Sequence, residues 1–145
     1  MPVPLQAALV KRILAYDRTL DGRADMRVLV VAGGDADAAE QIVSAFAGMA
    51  VNAQVVKASQ LASSLVPGTV VLVLPGGLTA AVEESCLRAK ALSLAPVSSW
   101  AEDGKVSVGI GTRDNKPEIV INLKRSKAEA HDFSTQLLKL ARVIP

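Results

Sequence analysis

Apolar residues change their spacing several times along the chain, and each change marks a new element. Leu5, Leu9, Ile13, Tyr16 and Leu20 recur at helical intervals behind Pro2 and Pro4, which predicts an amphipathic helix over residues 4–20 that stops near Gly22. Residues 27–32 are almost wholly apolar and rich in valine, the pattern of a central strand covered on both faces. Gly33-Gly34 then turns the chain, Asp37 with Glu40 resembles a capping box, and Ala39, Ile42, Val43 and Phe46 line one helical face. Residues 51–56 alternate through Asn52 and Gln54 as an outer strand does. Ser59 is placed to cap a short helix ending before Pro67-Gly68.

Residues 69–74 repeat the buried-strand pattern, Pro75-Gly76-Gly77 turns it, and Leu78, Val82, Ser85, Cys86 and Ala89 form the inner stripe of a further helix. A fourth strand over residues 92–97 leads into a loop over 98–104. From there the period shortens to two: Val106, Val108 and Ile110 alternate with Ser and Gly, and Asp114-Asn115-Lys116-Pro117 precedes an apolar run over 118–123, which together predict a β-hairpin. Two short helices finish the pattern, broken at His131-Asp132-Phe133 and restarted by a Ser134 cap. Strands that alternate with helices require a mostly parallel sheet with helices on both faces. The predicted fold class is therefore α/β, a Rossmann-like or flavodoxin-like three-layer sandwich with a C-terminal β-hairpin and terminal helices. The sequence shows no repeat or linker, and 145 residues at 50 % hydrophobic content suit a single domain over 1–145.

Charge changes this picture little. Sixteen Lys and Arg against fourteen Asp and Glu leave a formal net charge of +2, too weak a field to recruit nucleic acid or anionic lipid. Aromatic content of 3 % offers few stacking platforms for single strands. No nucleic-acid partner and no direct membrane insertion are expected, since no run is long enough to cross a bilayer. Residues 105–145 concentrate basic side chains, read as a solvated surface whose last cations sit at a helix C-terminus. The opening Met1-Pro-Val-Pro lacks the basic and apolar regions of a signal peptide.

Ligands in open α/β sheets collect beyond the carboxyl ends of the strands, so the candidate ligand- or partner-binding residues are Gly33, Gly34, Asp35, Gly76, Gly77 and Trp100. The Gly-Gly turns could present backbone N–H groups to an anion, yet Asp35 and Asp37 stand beside the first turn and would repel phosphate. The spacing matches neither a dinucleotide fingerprint nor a P-loop, which favours turn glycines. A phospho-receiver is excluded by Pro75-Gly76-Gly77, which occupies the place of its phospho-accepting aspartate. Cys86 reads as a small core residue that cannot form an internal disulfide, and His131 as a structural joint without metal-ligating partners at suitable spacing. No catalytic residues, metal site or cofactor are expected. Trp100, in a polar loop, is either a contact residue or a lid over the sheet end.

The last 45 residues carry more. The loop from Trp100 to Gly104, the strand over 106–111, the strand ending Asn122-Leu123, and the closing Ser134-x-x-Leu137-Leu138-x-Leu140-Ala141 helix resemble the YfiR-like family signature. The amino-terminal helix over residues 9–16, ahead of an apolar strand, is similar as well, so the resemblance covers nearly the whole chain. It implies a Rossmann-like domain, exported to the periplasm, which controls a membrane-bound signalling partner by binding its sensor domain. The best-known role is holding a diguanylate cyclase inactive, which links envelope or redox state to cyclic-di-GMP and biofilm formation. Self-association into a homo-oligomer is also implied. With one cysteine, redox sensing through an internal pair is not expected. The alternative reading is a small-ligand or nucleotide receptor that uses the strand-end crevice.

Overall fold

The computed structural model describes residues 1–20, 26–66 and 68–145. Seven strands form one sheet in the order β2-β1-β3-β4-β5-β6-β7. β1 (Arg27–Val31) lies between β2 (Ala53–Val56) and β3 (Thr69–Val73), parallel to both, with Val28 beside Val70 and Val30 beside Leu72. The two most apolar runs are thus buried parallel neighbours, as a strand covered on both faces must be. β4 (Leu92–Ala95) and β5 (Val108–Arg113) continue the parallel set. β6 (Lys116–Asn122) then returns antiparallel to β5. Asp114 and Asn115 take φ values of 52° and 63° at the hairpin tip, the left-handed pair that matches the twist of the flanking strands.

Strand alternation sorts the core into layers. Val28, Val30, Val70, Leu72, Leu92, Leu94, Val108 and Ile110 face α1 (Val3–Ala15), α2 (Ala36–Gly48) and α7 (Thr135–Leu140). Leu29, Val31, Val71 and Val73 face the other way, onto Leu61 of α3 (Leu61–Ser64) and Val82 and Cys86 of α4 (Ala80–Ala89). The α/β three-layer arrangement is the one expected.

Several local expectations are corrected. α1 ends at Ala15, not near residue 20, because residues 16–18 instead pair with the segment before α7: Asp17 bridges Phe133, and the Arg18 amide donates to the Asp132 carbonyl at 2.8 Å. Gly22 lies outside the described residues. α2 is capped by Asp35, whose carboxylate accepts from the Ala38 amide at 3.1 Å, and not by Asp37. Ser59 caps nothing; it sits inside a 3-10 turn, Ala58–Gln60, that runs into α3. Residues 98–104 are not all loop, since Ser98–Glu102 form the one-turn helix α5. Its close seat on β5 depends on Gly109, where a Cβ would stand 2.8 Å from the Ser98 Cα. After α6 (Leu123–Ala128) and α7 the chain adds a strand that periodicity did not reveal, β7 (Arg142–Ile144), parallel to β6. Arg142 fastens it, pairing with Glu118 at 2.5 Å and with Glu102.

Candidate functional site

The strand order reverses direction between β1 and β3, and a crevice opens there at the carboxyl ends of the strands, where such folds take ligands. It encloses about 300 Å³. Gly33 after β1, Leu74 and Pro75 after β3 and Pro96 after β4 form its floor, while Val3 and Gln6 of α1 and Ala38 and Ile42 of α2 form its walls. The two turns meet directly: a Cβ on Gly33 would lie 1.9 Å from the Pro75 carbonyl oxygen. Only glycine fits at that crossing.

The lining is apolar apart from one carboxylate, Asp35, and one amide, Gln6. Asp35 already caps α2, and the Gln6 amide donates to the Met1 carbonyl at 2.8 Å. No cation lines the crevice among the described residues. Polyphosphate is disfavoured, because a carboxylate at the helix N-terminus occupies the place where an anion would gain from the dipole.

The sequence-predicted residues divide. Gly33 and Asp35 line the crevice, and Gly34 stands next to them with open space above it. Gly76 takes φ +87° against Gly33 and Gly34, and Gly77 packs beneath the end of β1 beside the Val31 carbonyl. Trp100 belongs to the other face of the sheet. It is half-buried on α5 and, like Leu78, packs against both the α4-side core and the smaller cluster of Ala95, Ala101, Val106 and Val120. The strand-end loops therefore do not share a single crevice with Trp100.

Two buried polar clusters leave no mark in the hydrophobic periodicity. In the first, Glu129, fully buried at the end of α6, accepts from the Ser93 amide (3.0 Å), the Ser93 hydroxyl (2.7 Å), the Ser107 hydroxyl (2.5 Å) and Arg125 Nε (2.8 Å). Arg125 also donates to the Glu83 carbonyl at 2.7 Å, which ties α6 to α4. Every lone-pair direction of the carboxylate is used, as burial of a charge requires. Ser93 inside an otherwise apolar strand, and the i, i+4 spacing of Arg125 and Glu129, were the available signals.

The second cluster surrounds His131. Its Nδ1 lies 2.6 Å from Asp17 Oδ2 and its Nε2 lies 3.0 Å from the Lys90 carbonyl, while the Thr19 amide and hydroxyl donate to Asp17 Oδ1. Burial pulls the imidazole pKa down, but the hydrogen bond and charge of Asp17, the Lys90 carbonyl and Glu129 outweigh it and hold the value above 6.5. The geometry is not a catalytic relay. Both the acid and Thr19 sit on the Nδ1 side, and Nε2 is taken by a backbone carbonyl. Cys86 is buried among apolar neighbours, and burial pushes its thiol up to about 12, so no thiolate nucleophile forms there at neutral pH.

The fold has solved counterparts. A conserved domain protein from Vibrio cholerae O1 biovar eltor superposes with a TM-score of 0.68 over 98 % of this chain at 15 % identity. An ABC domain from Streptococcus pneumoniae, solved in complex with L-Trp, superposes with a TM-score of 0.68 over 99 % of this chain, also at 15 % identity. The chain spans about 60 % of the length of each. At this identity the likeness establishes the fold. No protein-family model and no curated protein matches the chain.

Proposed function

We propose that the protein is a non-catalytic regulator of the YfiR-like kind, acting in the periplasm on the sensor domain of a membrane-bound signalling protein such as a diguanylate cyclase. The observation that carries this reading is where the residues of the resemblance sit. Asn122 caps α6 through the Arg125 amide at 2.9 Å and donates to the Ala101 carbonyl at 2.9 Å, which locks α5 onto the hairpin. Ser134 caps α7, and Leu137 is fully buried in the main core. A motif whose spacing meets structural needs this far apart in sequence supports common architecture over chance. Control by binding works by population shift, the protein stabilising one state of its partner through differential affinity. Self-association is part of the same reading.

Affinity purification of the tagged protein from solubilised membranes of its own host tests it. Recovery of a cyclase or sensor kinase is the expected result, and a bait that repeatedly recovers no membrane signalling protein would falsify the reading.

The crevice favours a second reading, a receptor for a small, largely apolar ligand. Its volume suits a compact molecule, and the Streptococcus pneumoniae counterpart was solved with L-Trp. Asp35 and Gln6 would prefer a ligand that donates N–H groups. Thermal shifts across a panel of amino acids and other metabolites test this; a flat response retires it.

A further inference from the structure

Each ring nitrogen of His131 faces an acceptor, and the Thr19 hydroxyl, which donates to Asp17 Oδ1, also stands 2.8 Å from Nδ1. Asp17 Oδ2 stands 2.6 Å from Nδ1, and the Lys90 carbonyl stands 3.0 Å from Nε2. A neutral imidazole carries one N–H and can serve only one of them, whereas the imidazolium serves both. The three partners come from distant parts of the chain: Asp17 follows α1, Lys90 forms the left-handed turn between α4 and β4 (φ 57°), and His131 lies between α6 and α7. Backbone bonds run alongside, from Arg18 to Asp132 at 2.8 Å and from Ser134 to Tyr16 at 2.9 Å.

From this we propose that His131 is a proton-operated latch, whose imidazolium pins the carboxyl end of α1 to the α4–β4 turn and to the α6–α7 joint. Loss of the proton leaves one of the two acceptors, Asp17 Oδ2 or the Lys90 carbonyl, facing a lone pair and removes the charge partner of Asp17, so the end of α1 loosens. The other end of the same helix carries Val3 and Gln6, which wall the crevice. Proton release at one end of α1 is thereby felt at the binding end, about 20 Å away along a helix of 13 residues. This device stands independently of what the crevice or the surface binds.

Among the described residues, the charged groups around the latch are few. Asp17 and Glu129 favour the proton, the Lys90 ammonium is turned to the Ala128 carbonyl at 3.0 Å, and Arg18 and Asp132 pair with each other at 3.8 Å on the exposed side. The folded-state pKa of His131 lies above the ordinary 6.5. The latch contribution to stability is therefore complete below the unfolded value and is lost as pH rises through the folded one.

The chain has a single histidine, so its imidazole proton resonance can be followed by NMR without ambiguity, together with amide protection factors in α1. The expected result is one titration above pH 6.5, with protection in α1 falling at the same midpoint. In Asp17→Asn both midpoints should move down together by about one to three pH units. A histidine that titrates at or below 6.5, α1 protection that stays level through the titration, or an Asp17→Asn protein with an unmoved midpoint overturns the latch. The titration of the unaltered protein decides even if the variant does not fold.

Discussion

Gly33 has no room for a methyl group, since the Pro75 carbonyl oxygen would stand 1.9 Å from it. Gly33→Ala must push the β1 and β3 turns apart, and a urea unfolding series should show a loss of about 1–3 kcal/mol. That glycine was legible in the sequence as a turn residue, but its reason was not, because the clash is with a residue 42 positions further along. Cys86 is the opposite case. Its helical spacing marked it as an inward residue, and the structure buries it completely. With the thiol held near 12, it should resist a thiol-reactive chromophore at pH 8 in the native protein and react at once in denaturant; rapid native labelling would contradict the packing. Asp17, Ser93, Ser107 and Glu129 were invisible to periodicity because each is a polar residue at a buried place, and only its partners, from other elements, explain it.

Elements with strong local signals were read correctly, and those decided by tertiary contacts were not. The valine-rich runs of β1 and β3 are strands because their side chains have a core on both faces, and the hairpin declares itself through Asp114-Asn115. The overextended α1 and the missed β7 share one cause. Residues 16–18 are drawn out of the helix by the segment before α7, and residues 142–144 become a strand only because β6 has a free edge and Arg142 has Glu118 and Glu102 beside it. Asn122 shows how one side chain serves two elements, capping α6 and holding α5 through the Ala101 carbonyl. Asn122→Ala removes the cap and strands a buried carbonyl, for a combined cost of about 2–4 kcal/mol. Trp100 on α5 reports it: its fluorescence should shift towards that of the unfolded protein in the native variant, and an unchanged spectrum with an unchanged unfolding midpoint would contradict the role given to Asn122.

The molecule as a unit joins a seven-stranded sheet to one helix, α1, that walls the crevice at one end and runs into Asp17 of the His131 cluster at the other. The α/β class and the parallel pairing of its central strands followed from pattern alone, since burial on two faces leaves few other topologies. The separation of Trp100 from the crevice did not, because it depends on which face of β4 and β5 each connection crosses. The regulatory reading rests on the resemblance of the carboxy-terminal third and on joints that those residues form, and it commits to an effect on a membrane partner. The most direct test is cyclic-di-GMP synthesis by host membranes that lack the protein, measured as purified protein is added back. With a diguanylate cyclase as the partner, the account expects synthesis to change along a saturable curve; synthesis that stays level at all concentrations, with the protein folded and the cyclase present, would contradict it.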